Sequence, residues 1–89
     1  MADLKNIVGA NVRKRRVAAG MSQDMLAAHL QTAGWDLSRA GLSKIEAGLR
    51  LVIDAEVMVL SKVLRCTPLE LLAGVSPRSV IKVVRQGRG

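Results

Sequence analysis

From Met21 to Gly48 the chain reads MSQDMLAAHLQTAGWDLSRAGLSKIEAG, and this stretch limits the fold more tightly than any other. Two short apolar runs are each opened by a serine and closed by a glycine. Ser22 stands where a helix N-cap belongs, with Asp24 in the first turn near the positive end of the helix dipole. Met25, Leu26 and Leu30, with Ala27 beside them, supply the apolar side. Gly34 follows as a C′ glycine, and Trp35 is placed to fold back on Leu30 in a Schellman-type stop. Ser38 is a second N-cap candidate. Leu42 and Ile45 lie three apart on one face of the next helix, and Gly48 ends it.

Two capped helices with a turn between them are the sequence form of a helix-turn-helix, whose second helix can enter a DNA major groove. Composition agrees with a helical domain. Eighty-nine residues make one small unit, and its only aromatic residue is Trp35. The core must therefore come from Leu, Val, Ile, Met and Ala, which favours an all-α bundle over a small β-domain. The formal charge of +7 points to a polyanionic partner. A single cysteine, Cys66, excludes an internal disulfide and suits the reducing cytoplasm. No run of eighteen apolar residues and no charged-then-apolar leader pattern occurs, so neither a membrane association nor secretion is expected.

In chain order, Asp3 is the candidate cap of a first helix from about Leu4 to Ala19, with Leu4, Val8 and Val12 on one face. Gly9 lies inside this pattern and weakens the helix by about 1 kcal/mol relative to Ala. Arg13, Lys14, Arg15 and Arg16 form a basic run near its end, and Gly20 stops it. Four consecutive residues span all sides of a helix, so one must point inward. Arg16 is the candidate, and a buried Arg needs an acid, for which Glu46 is the candidate. Leu51 to Ile53 is expected to pack inward. Asp54 is read as the cap of a fourth helix to about Leu64, with Val57, Leu60 and Leu64 on one face. Thr67-Pro68 opens a short helix to Ala73 with Leu69, Leu71 and Leu72 buried and Gly74 as its stop. Cys66 reads as a core thiol and His29 as a surface or half-buried residue. The segment 75–89 is rich in β-branched residues. It reads as a strand, a short helix with Val80, Ile81 and Val84 on one side, or a disordered basic tail. A strand would lack a partner in its own chain and would pair with the same segment of a second subunit.

Arg16 to Gln23, RVAAGMSQ, then Leu26-Ala27, then Leu42-Ser43-Lys44-Ile45-Glu46-Ala47-Gly48 carry a family resemblance. Their order and spacing resemble the Xre family, the Cro and phage-repressor type of helix-turn-helix, from about Val8 to Leu72. The resemblance implies a five-helix, lambda-repressor-like domain over residues 1–74, with 75–89 as an extension, strand or tail, suited to dimerisation. It implies an Arg16–Glu46 pair and a Gln23 that bonds a phosphate and braces the recognition helix. It also places Arg39, Ala40, Ser43 and Lys44 toward DNA bases, and lets Arg50 reach a phosphate from the link after that helix. The chain departs from the pattern at Arg15, where Leu is common, at Met25, where an acid is common, and in a turn, Gln31 to Asp36, about three residues longer than the shortest. Ala40 and Gly41 are smaller than usual.

Arg39 and Lys44 are long enough to reach guanine O6 and N7, and Ala40 suits a thymine methyl. Ser22 and Gln23, with Arg13, Lys14, Arg15 and Arg50, are the candidate phosphate contacts. Catalysis is not expected, because one His and one Cys lie far apart. No metal, cofactor or small-molecule ligand is expected either. The expected function is a sequence-specific transcriptional regulator, a repressor, acting on double-stranded DNA as a homodimer. The alternative is a protein-interaction or antitoxin-type adaptor on the same fold.

Overall fold

A computed structural model describes residues 3–87. Helices α1 (Gly9–Ala18), α2 (Gln23–Thr32), α3 (Arg39–Glu46), α4 (Asp54–Val63), α5 (Pro68–Leu72) and α6 (Pro77–Gly87) follow one another, with no strand among the described residues. The fold is all-α. Helix α3 packs against α1 and α2, α5 against α1 and α4, and α4 also against α2. Val12, Leu26, Leu30, Leu42, Ile45, Leu60 and Leu71 meet in the middle, all fully buried. Each such side chain contributes about 1.5–3 kcal/mol by leaving water.

The caps predicted for α2 and α3 are present. Ser22 Oγ accepts the Met25 N–H at 3.1 Å, and Ser38 Oγ accepts the Gly41 N–H at 3.0 Å. Both helices end in full Schellman stops. The Trp35 N–H reaches the Leu30 carbonyl at 2.9 Å, and the Leu49 N–H reaches Lys44 at 2.8 Å. Gly34 and Gly48 take the left-handed conformation between them, with φ of 104° and 76°. The long turn is filled from inside by Leu37, only 3% exposed and missed by the sequence reading, while Trp35 packs at the edge of the core.

The start of α1 differs from expectation. The helix begins at Gly9, five residues after Leu4, and Asp3 caps nothing. Asn6 is the reason. Its Oδ1 accepts the Gly9 N–H at 2.8 Å, and its Nδ2 donates to the carbonyls of Ile45 at 3.1 Å and Arg50 at 2.8 Å. One buried amide thus caps α1 and ties residues 3–8 to the end of α3. The Lys5 N–H adds a bond to the Gly48 carbonyl at 2.7 Å. Gly9 sits where α1 meets α3, because a Cβ there would stand 2.1 Å from the Ile45 carbonyl oxygen.

Four further expectations are corrected. Leu51 and Ile53 are 54% and 59% exposed; only Val52 turns toward the core. Asp54 is the first residue of α4, not its cap, and Glu56 Oε1 takes the Ile53 N–H instead. In α5 only Leu71 is buried, because a five-residue helix turns just one side inward; Leu69 is 76% exposed and Leu72 40%. Finally, of the three readings of the extension, strand and tail are set aside over its described part and the helix is found, as α6. Ser76 Oγ accepts the Ser79 N–H at its start, and a helix satisfies its backbone within one chain, as a lone strand cannot.

Candidate nucleic-acid interface

The site is assembled from the buried side of α3 outward. Leu42, Ile45 and Glu46 face inward. Leu42 and Ile45 enter the core, whereas Glu46 meets a cation from α1 and a neutral amide from α2. Arg16 grips its carboxylate with two bonds, Nε to Oε2 at 2.7 Å and Nη2 to Oε1 at 3.0 Å. Gln23 Nε2 donates to Oε1 at 3.1 Å, and Arg16 Nη1 donates to the Met21 carbonyl at 2.8 Å. The side chains are 11% and 3% exposed. Hydrogen bonding to Glu46 pushes the Arg16 pKa above its ordinary value, against the opposing effect of burial. The expected Arg16–Glu46 pair is therefore present. Gln23 extends it, locking α1, α2 and α3 together.

With that side fixed, the opposite face of α3 is determined. Ala40, Ser43 and Lys44 lie on it, and Arg39, the first residue of the helix, is exposed beside it. Arg39 is not wholly free: its Nε lies 3.8 Å from Asp24 Oδ1 on α2, and both side chains are more than two-thirds exposed. Such a pair is weak in water and readily exchanged for another anion. Beside this face a shallow hollow is lined by Lys5, Ala40, Gly41, Lys44 and Arg50. Lys5 escaped the sequence reading, since a helix starting at Leu4 would have carried it elsewhere. Asn6 three residues before Gly9 was the available signal for a later start.

The basic run of α1 is divided. Arg16 is inside. Arg13 shares the helical stripe of Gly9 and Arg16 and is exposed. Lys14 and Arg15 line a different hollow, with Asn11, Glu70 and Ala73, on the α5 side. There Arg15 pairs with Glu70. Arg50 is also engaged. Its Nη2 lies 3.5 Å from Glu56 Oε2, and its guanidinium lies over the Trp35 ring. Ser22 and Gln23 stand at the N-terminal end of α2, where Gln23 reaches Glu46 at the C-terminal end of α3.

Comparison with known proteins gives one match: a helix-turn-helix family model covers residues 12–71, two thirds of the chain. No curated protein and no solved structure matches it. The matched span runs from the first core residue of α1 to the last of α5 and contains both helices whose caps and stops define the turn. The chain belongs to the Xre family of helix-turn-helix proteins, the Cro type, and is a DNA-binding transcriptional regulator.

Proposed function

We propose that the chain is a sequence-specific repressor that reads the major groove of double-stranded DNA with α3. The observation that carries this reading is the sidedness of that helix. Ala40, Ser43 and Lys44 share its exposed face with Arg39 exposed at its edge, while Leu42, Ile45 and Glu46 face inward. Arg39 and Lys44 address guanine edges, Ala40 packs on a thymine methyl, and Ser43 bonds a base or a phosphate. Ser22, Gln23, Arg13 and Lys5 contact phosphates around the groove, helped by the backbone donors at the start of α2. Lys14 and Arg15 act through the summed positive field rather than by contact.

One copy covers half a site. A two-fold homodimer with half-sites roughly 34 Å apart supplies the rest. We assign residues 75–89 to that dimerisation, now through α6. Its Ile81 and Val84 are about half exposed, and Val84 lines an apolar groove with Met58 and Leu72. The same surface is what favours the adaptor alternative, in which a different protein covers it. The protein acts where its DNA lies, in the cytoplasm.

Selection of duplexes from a random pool, followed by band shifts at several salt concentrations, tests the reading. A recovered pseudo-palindrome and affinity falling steeply with salt are expected. Arg39→Ala relaxes preference at one base pair, at about 1–3 kcal/mol. Affinity flat with salt and no recovered consensus would leave the adaptor role standing.

A further inference from the structure

The link between α3 and α4 carries a cation held by its own chain though still 36% exposed. The Arg50 guanidinium carbon lies 5.9 Å from the centroid of the Trp35 ring. Nη2 faces Glu56 Oε2 at 3.5 Å. Nη1 lies only 3.1 Å from where a Cβ on Gly41 would stand. The planar head therefore shares with Leu37, whose Cδ1 lies 2.7 Å from that point, the space that the missing side chain leaves above the first turn of α3. Around it are the turn before α3, contributed by Trp35, and the first turn of α4, contributed by Glu56. The backbone is tied as well, because the Arg50 carbonyl accepts from buried Asn6. The small residue at position 41 makes room for Leu37 and for this side chain, and the long turn brings Trp35 to it.

We propose that Arg50 is a positioning residue: a guanidinium brace that fixes the turn at Trp35 and the start of α3 against α4, and so sets how Arg39 and Ala40 are presented. Its delocalised charge lies over the ring at cation–π distance while one nitrogen meets the carboxylate, two contacts that a compact lysine ammonium is poorly shaped to make together. A phosphate anchor requires only charge and reach. The consequence for DNA rests on the reading role of α3; the brace itself does not.

Arg50→Ala and Arg50→Lys, with helical circular dichroism retained, test the brace in the free chain and on DNA. Trp35 is the only tryptophan and there is no tyrosine, so emission reports the surroundings of this ring alone. Both variants should shift that emission and speed amide exchange at Gly41 and Leu42 by about three- to tenfold. On DNA both should lose base discrimination while the slope of log affinity against log salt stays within about half a unit of the parent. Trp35→Leu, which changes no charge, should reproduce that loss. Unchanged emission and exchange in both arginine variants would overturn the brace whether or not the chain binds DNA. So would rescue by Arg50→Lys together with a slope reduced by about one in Arg50→Ala, the signature of a phosphate contact.

Discussion

Arg65 holds a φ of 56°, the left-handed region, where every other described residue with positive φ is a glycine. It occupies the C′ position of α4, and the Cys66 N–H after it bonds the Ser61 carbonyl at 2.9 Å. The stop is the same as at Gly20, Gly34 and Gly48, but built on a residue with a Cβ. That conformation costs a side-chain-bearing residue roughly 1–2 kcal/mol, part of which glycine returns through its freer unfolded state. Arg65→Gly is therefore expected to stabilise the fold by about 0.5–1 kcal/mol, read as a higher denaturant midpoint with unchanged slope. Gly9→Ala should act in the opposite sense. Propensity alone predicts a gain, since alanine favours helix. The Ile45 carbonyl 2.1 Å from the new Cβ predicts a loss of at least about 2 kcal/mol, because the obstacle is backbone and cannot rotate away. Thermal melts of the two variants decide between local preference and tertiary contact. The sequence was open to misreading at Gly9 for this reason: its neighbour in space is 36 residues away.

Where an element's ends are set by nearby residues, they were legible. Ser22, Ser38 and Thr67 cap as expected, and Gly20, Gly34 and Gly48 stop their helices. Where an end is set from a distance, it was not. The start of α1 depends on an asparagine whose amide bonds carbonyls at residues 45 and 50. The Arg16–Glu46 pair was legible from the need to neutralise a buried cation, whereas the engagement of Arg15 by Glu70 was not. Element α5 shows what such a capping set contributes. Thr67 Oγ1 accepts the Glu70 N–H at 3.1 Å, and Glu70 Oε1 accepts the Thr67 N–H at 3.0 Å. The Thr67 backbone bond, then the Thr67 hydroxyl, then Arg15 hold the Glu70 carboxyl below the usual glutamate range. A carboxyl with a lowered folded pKa stabilises above its unfolded value, about 4.3, and loses that contribution as pH falls through the folded one. Glu70→Gln should thus narrow the stability difference between pH 6 and pH 3, as measured by denaturant titration at each pH. An unchanged difference would mean that the carboxylate contacts of α5 do not persist in solution.

At the scale of the whole molecule, the core and the extension are separable. Every buried apolar residue of the core lies between Val8 and Leu71, so α1 to α5 enclose it without help from α6. Helix α6 instead lays Val83 and Val84 along a groove shared with Leu51, Val57, Met58 and Leu72, and leaves Ile81 outside. Arg78, Lys82 and Arg85 form its opposite, solvent-facing stripe. That pattern of an apolar side facing partly inward and partly outward is why its β-branched composition was open to reading as a strand. The helix is amphipathic yet incompletely covered, which is the state expected of an element completed by a second copy. Removing residues 75–89 should leave a folded chain with nearly the same melting temperature. Sedimentation should then show a monomer where the full chain forms a dimer. Binding to an isolated half-site should be little changed, while binding to a full pseudo-palindrome should weaken by about a hundredfold or more, since the second half-site is no longer held at high effective concentration. If the shortened chain remains dimeric, the contact lies on Ile53, Met58 and Leu69 and α6 is a rim to it. If the full chain is monomeric even on the palindrome, two-fold recognition fails for this protein, and α6 must be covered by something else.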